Sequence, residues 1–91
     1  MNKTGDYSKL LELLVRDFTW PNKYMFKFVV PFEAESLEIL KALFTKEAII
    51  QHRMSKTSKF ISFTATQVMN NPDDVINIYK EAEKIDKIIA I

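Results

Sequence analysis

The sequence contains no cysteine, one glycine, one histidine and three prolines. Each scarcity removes a class of chemistry. Without cysteine there are no disulfides, thiolate metal sites or thiol nucleophiles, which suits a reducing compartment. The lone glycine, Gly5, stands outside any strand-loop-helix pattern, so a glycine-rich phosphate cradle is ruled out. The lone histidine, His52, lies among apolar residues with no acid partner near it in sequence, and reads as a structural residue rather than a general base. An excess of charge of one sign is also missing. Thirteen Lys and Arg stand against twelve Asp and Glu, a net charge of +1, which leaves no global field to steer the chain towards nucleic acid or an anionic membrane. There is no long hydrophobic run. Glu12 and Arg16 interrupt the leucine-rich stretch that follows a polar opening, so neither a signal peptide nor a transmembrane helix is expected, and the expected location is cytoplasmic.

What is present is the composition of a folded domain, with 47% hydrophobic, 12% aromatic and 27% charged residues. Ninety-one residues predict a single domain over 1–91. It divides into an N-terminal helical extension over 1–22 and a core over 23–91. Asp6 is placed to cap a first helix running to about Asp17, with Leu10, Leu11, Leu13, Leu14 and Phe18 as its apolar face. Trp20-Pro21-Asn22 ends it, because proline disfavours helix in the preceding residue and lacks an amide proton. A strand follows over 24–30, with Tyr24, Phe26, Phe28 and Val30 towards the core and Lys27 away from it. Glu33 and Glu35 then favour a helix start, and Leu37, Leu40 and Phe44, joined by Ile39 and Leu43, make a helical stripe to about Lys46.

Residues 48–54 read as a strand with Ile50, His52 and Met54 inward and Gln51 and Arg53 outward. A turn over 55–58 leads into a return strand over 59–67, with Ile61 and Phe63 on one face and Phe60, Ser62 and Thr64 on the other. Asn71-Pro72-Asp73-Asp74 supplies a capping side chain, a first-turn proline and two acids for a further helix carrying Val75, Ile76, Tyr79 and Ala82. Those acids are therefore helix-start chemistry, and no metal site is expected of them. Lys87-Ile88-Ile89-Ala90-Ile91 closes the chain as an apolar strand suited to burial on both faces or to pairing with a second subunit.

The order after the first helix is βαββαβ. This predicts an α+β, ferredoxin-like fold: a four-stranded antiparallel sheet with two helices on one face, plus an extra N-terminal helix. In that topology Lys27, Arg53, Ser62 and Thr64 meet on the open face, with Met25 and Phe60 adding apolar area. They form a candidate surface for a small anionic ligand or a protein partner, where Lys27 and Arg53 supply donors and Ser62 and Thr64 hydroxyls. The leucine-rich first helix is a candidate to cover that face, in cis or from a second subunit. Stacking of RNA bases is not expected, since Phe60 and Phe63 lie three apart and point to opposite faces, and the glycines of the ribonucleoprotein motif are missing.

Trp20-Pro21 followed by Tyr24 and Phe26-Lys27, then Arg53-Met54-Ser55 and Lys59-Phe60-Ile61-Ser62-Phe63-Thr64, resembles the YbeD-like family of small uncharacterised bacterial proteins, from about Tyr7 to Ile91. The resemblance implies a ferredoxin-like fold similar to the ACT-type regulatory domains of amino-acid metabolism, and it implies no catalytic residues. Two departures stand out. Ser58 occupies a turn that carries glycine in such relatives, so the hairpin must avoid a left-handed residue or strain to make one. ACT-type domains bind amino acids beside a glycine-bearing loop, where this chain has Pro31-Phe32-Glu33-Ala34.

The expected function is that of a regulatory or adaptor domain, not an enzyme. It acts by protein–protein contact as a homodimer or with another protein, and needs no cofactor. The alternative is an ACT-like sensor of a small anionic metabolite or amino acid. Nucleic acid and membrane are not expected partners.

Overall fold

The computed structural model describes residues 7–91, in the order α1 (Ser8–Asp17), β1 (Asn22–Pro31), α2 (Ala34–Lys41), β2 (Ile49–Met54), β3 (Phe60–Met69), α3 (Pro72–Ala82) and β4 (Ile89–Ala90). Asp6, the expected cap of α1, lies outside the described residues. The four strands form one antiparallel sheet in the order β2-β3-β1-β4. With the helix order this is the ferredoxin-like arrangement carrying one additional helix.

The period of two along β1 sets the core. Phe26, Phe28 and Val30 are fully buried, and Phe63 and Ala65 on β3 join them from the same face. Burying each such large side chain contributes about 1.5–3 kcal/mol. Above them, α2 packs on β1 and α3 on β3. Tyr79 of α3 is the hub of the aromatic cluster, touching the rings of Tyr7, Tyr24, Phe26 and Phe28 at centroid separations of 5.4–6.4 Å. α3 starts as its sequence predicts, with Asn71 Oδ1 accepting from the Asp74 amide at 2.9 Å and Pro72 in the first turn.

α1 packs against α3, not against the sheet's open face. The expectation that it covers the open face in cis is therefore corrected. Tyr7 and Leu14 belong to the core cluster, and the Tyr7 hydroxyl donates to Glu83 at 2.6 Å. These contacts draw the helix to the flank of α3. The indole N–H of Trp20 donates to the Leu14 carbonyl at 3.1 Å, satisfying one of the carbonyls left open at the helix end. The Trp20–Pro21 peptide bond is cis.

Three other expectations change. α2 ends at Lys41, short of Lys46. The chain beyond it closes in i→i+3 turns, and Gln67 Oε1 accepts from the Thr45 amide and hydroxyl at 3.0 and 3.2 Å, pulling the segment towards β3. Phe44 still reaches the core, its ring 5.3 Å from Phe26 and 5.9 Å from Phe63. On β2, His52 and Met54 have the inward parity expected of them, opposite Phe63 and Ile61, yet both are exposed. β2 is an edge strand, and the helical cover is centred on β1 and β3. The C-terminal strand is short and buried on one side only. Ile88 and Ala90 pack on the core, while Ile89 and Ile91 are exposed.

Candidate functional site

The open face is built by strand parity. On β1 it takes Lys23, Met25, Lys27 and Val29; on β3, Phe60, Ser62, Thr64, Thr66 and Val68; on β2, Ile49, Gln51 and Arg53. The register brings all four candidate residues together. Thr64 lies between Lys27 on β1 and Gln51 on β2. Ser62 lies between Val29 and Arg53, and Ile89 of β4 extends that row, so Arg53, Ser62, Val29 and Ile89 run across all four strands. From strand spacing, Lys27 and Arg53 stand roughly 12 Å apart at Cα, close enough for two long side chains to lean onto one group.

Lys27, Gln51, His52, Arg53, Ser62 and Thr64 line a shallow, open concavity of about 640 Å³. Gln51 was not among the candidates. Its shared parity with Arg53 was the signal that could have found it, since the two sit two apart on one strand. A second concavity on the same face, of about 400 Å³, reaches from Lys23 and Val68 to Ile49 and Glu47.

Neither Lys27 nor Arg53 has an ion pair among the described residues, where the side-chain salt bridges are Arg16–Asp17 and Lys84–Glu81. The wider charge pattern is more informative than the net charge. None of the described strands carries an Asp or Glu, and the described acids lie on helices and loops. Lys23, Lys27 and Arg53 are on the open face, while Lys56 and Lys59 flank the hairpin tip. Glu47, in the loop before β2, is the one carboxylate lining either concavity.

Apolar groups are interleaved with these cations. Met25, Phe60, Val68, Ile49, Ile89 and Ile91 are each exposed by 42–70%. Phe60 is on the open face and Phe63 is buried beneath the helices, so the two rings are on opposite faces as their spacing implies.

The hairpin that presents Arg53 and Ser62 is closed by Ser55. Its amide donates to the Phe60 carbonyl at 2.8 Å, and its Oγ accepts from the Phe60 amide at 3.2 Å. Ser58 has φ 60°, so the chain makes the left-handed turn without glycine.

Displaced protonation equilibria lie on the helical side. Burial pushes the Tyr79 phenol above the usual range, helped by its hydrogen bond with Tyr24 at 3.1 Å. Burial raises Tyr7 likewise, with the hydrogen bond to Glu83 and its negative charge acting in the same direction. Among the described residues no three His, Cys, Asp or Glu side chains converge as a metal-binding group, and no helix is long and apolar enough to cross a membrane.

Comparison with known proteins yields one finding. No curated protein and no solved structure matches the chain. A family model does match, over residues 16–91, from the last turn of α1 through β4, and the YbeD-like resemblance is consistent with it. The chain belongs to that family, described as a protein of unknown function (DUF493).

Proposed function

We propose that the chain is a non-enzymatic docking module that regulates or adapts another protein by contact through the open face of its sheet. The observation that carries this is the uncovered face itself. The described helices lie elsewhere, and the face sets exposed Met25 and Ile89 among Lys27 and Arg53, cations without ion pairs among the described residues. Apolar side chains interleaved with charged and hydroxyl groups are the make-up of a non-obligate contact surface. The reading places the module in the cytoplasm. A photo-crosslinking side chain at Thr64 tests it against the same side chain at Asn77, which is exposed on α3. Protein adducts formed from Thr64 and not from Asn77 are the expected result. Equal labelling from both positions, or none from Thr64, removes the proposal.

Self-association is the second part of the reading. Its route is the outer edge of β2, six residues long, without proline and exposed along most of its length. Light scattering reads the outcome, and a strict monomer at high concentration removes this part alone.

A different class of function is favoured by one specific observation, the shared concavity of Lys27, Arg53, Ser62 and Thr64. It suits a sensor in which the two cations hold a small organic acid or amino acid and the hydroxyls orient it. Thermal shift across such compounds tests it. Stabilisation of the wild type that Arg53→Ala abolishes supports the sensor, and an unchanged response in the variant sinks it.

A further inference from the structure

We infer that the occupant of the open face is an acidic, amphipathic helix of a different protein, a conclusion that rests on the docking reading above and adds the chemistry of the partner. Three observations lead there. First, the face is carboxylate-free on all four strands, and its Lys23, Lys27 and Arg53 are without ion pairs among the described residues. The occupant that complements such a face carries negative charge. Second, exposed apolar groups share the face with the cations. Met25 lies two residues from Lys27 on β1, and half-buried Val29 and exposed Ile89 continue the row that starts at Arg53. A purely ionic ligand would leave them in water, whereas an amphipathic segment covers them with its own apolar stripe.

Third, the geometry selects a helix from another chain. Four strands at about 4.8 Å spacing present a strip roughly 15 Å wide, enough for one helix about 10–12 Å in diameter. This is the layer that the fold leaves out, since α1 is committed to α3. A second copy of the chain does not fit. Stacking two open faces about a two-fold axis sets Lys27 and Arg53 of each copy against the same cations of the other, with no carboxylate on the strands to separate them. Seating one copy's acidic helices on the other's sheet is a head-to-tail contact, which leads to open chains unless a ring closes.

The test uses the full chain and a synthetic helix of about five turns, roughly 18 residues, with leucine at i, i+3, i+4 spacing and glutamate on both flanks. A second peptide replaces every glutamate by glutamine. A single-stranded oligonucleotide is the competing probe, because phosphates also answer to unpaired cations. Binding is read by fluorescence anisotropy and located by amide chemical shifts. The expected result is binding of the glutamate peptide, with shifts at Lys27, Ser62 and Thr64, and at least about tenfold weaker binding of the glutamine peptide. The double variant Lys27→Glu, Arg53→Glu loses the same interaction while its melting temperature stays near wild type, both side chains being exposed. If both peptides bind the open face equally, the acidic partner falls and the docking face stands. If shifts are confined to α1 or α3, both fall. Failure of the glutamate peptide to bind, or tighter binding of the oligonucleotide, overturns the acidic helix.

Discussion

Two side chains show how local rules and tertiary demand meet at single residues. Ser58 takes φ 60° at the tip of the hairpin that presents Arg53 and Ser62, a conformation in which a Cβ crowds the following carbonyl. Ser58→Gly removes that crowding, and the urea midpoint should rise by the equivalent of about 1 kcal/mol; a fall would show that the serine supplies more than its backbone. Tyr79 makes a prediction in pH. In the unfolded chain a tyrosine ionises near pH 10, but burial, and the hydrogen bond with Tyr24, keep the folded phenol protonated to higher pH. The unfolded state thus binds fewer protons above about pH 10, and stability falls as pH rises through that range, while below about pH 10 the contribution is complete. Tyr7 adds to the same slope for the same reason of burial, reinforced by Glu83. Melting temperatures measured from about pH 9 to about pH 11 should therefore drop, and drop less steeply in Tyr79→Phe. An equal slope in the variant would place the alkaline sensitivity elsewhere.

Among the elements, those with local signals behaved as their residues dictate. α3 carries its own start, Asn71 capping Asp74 with proline and acids in the first turn, and its helix runs Pro72–Ala82. β1 and β3 carry period-two burial along their lengths, and their pairing sets Lys27 beside Thr64. α2 and β2 were less legible because their fate is set by distant partners. The stripe through Leu37, Leu40 and Phe44 continues past Lys41, but the hydrogen bonds from Thr45 to Gln67 of β3 take the chain off the helical path. The parity of Ile50, His52 and Met54 was readable, whereas their exposure followed from β2 lying at the edge of the sheet, which parity does not encode. α1 is held by tertiary contact. Leu14→Ala, at a fully buried position in the core cluster, should cost about 2–5 kcal/mol as measured by denaturant unfolding. A cost under about 1 kcal/mol would mean that α1 is not part of the cooperative unit.

Over the whole molecule, the near-neutral net charge conceals a separation. Among the described residues, acids occupy helices and loops, and the strands carry cations alone. The separation gives the open face its positive character. The core is shared as well. Tyr7 and Leu14 from the N-terminal segment lie in one cluster with Phe26, Phe63 and Tyr79, so the added helix and the βαββαβ core should unfold together. Trp20, at the corner between α1 and β1, provides the probe: its fluorescence and the far-ultraviolet circular dichroism should trace the same urea transition. Separate midpoints would divide the chain into two units.

The sequence by itself determined the element order, the faces of β1 and β3, the start of α3 and the outward parity of Lys27, Arg53, Ser62 and Thr64. Side-chain alternation and capping act over a few residues, so they can be read without the rest of the chain. Only the tertiary structure decided where α1 goes, where α2 stops, that His52 and Met54 remain in solvent, and that the outward residues meet on one face whose Lys27 and Arg53 have no ion pair among the described residues. The physical reason is common to all four. Packing of α1 on α3, capture of Thr45 by Gln67, the edge position of β2 and the lateral pairing of four strands are contacts between residues far apart in the chain, and no local pattern specifies them.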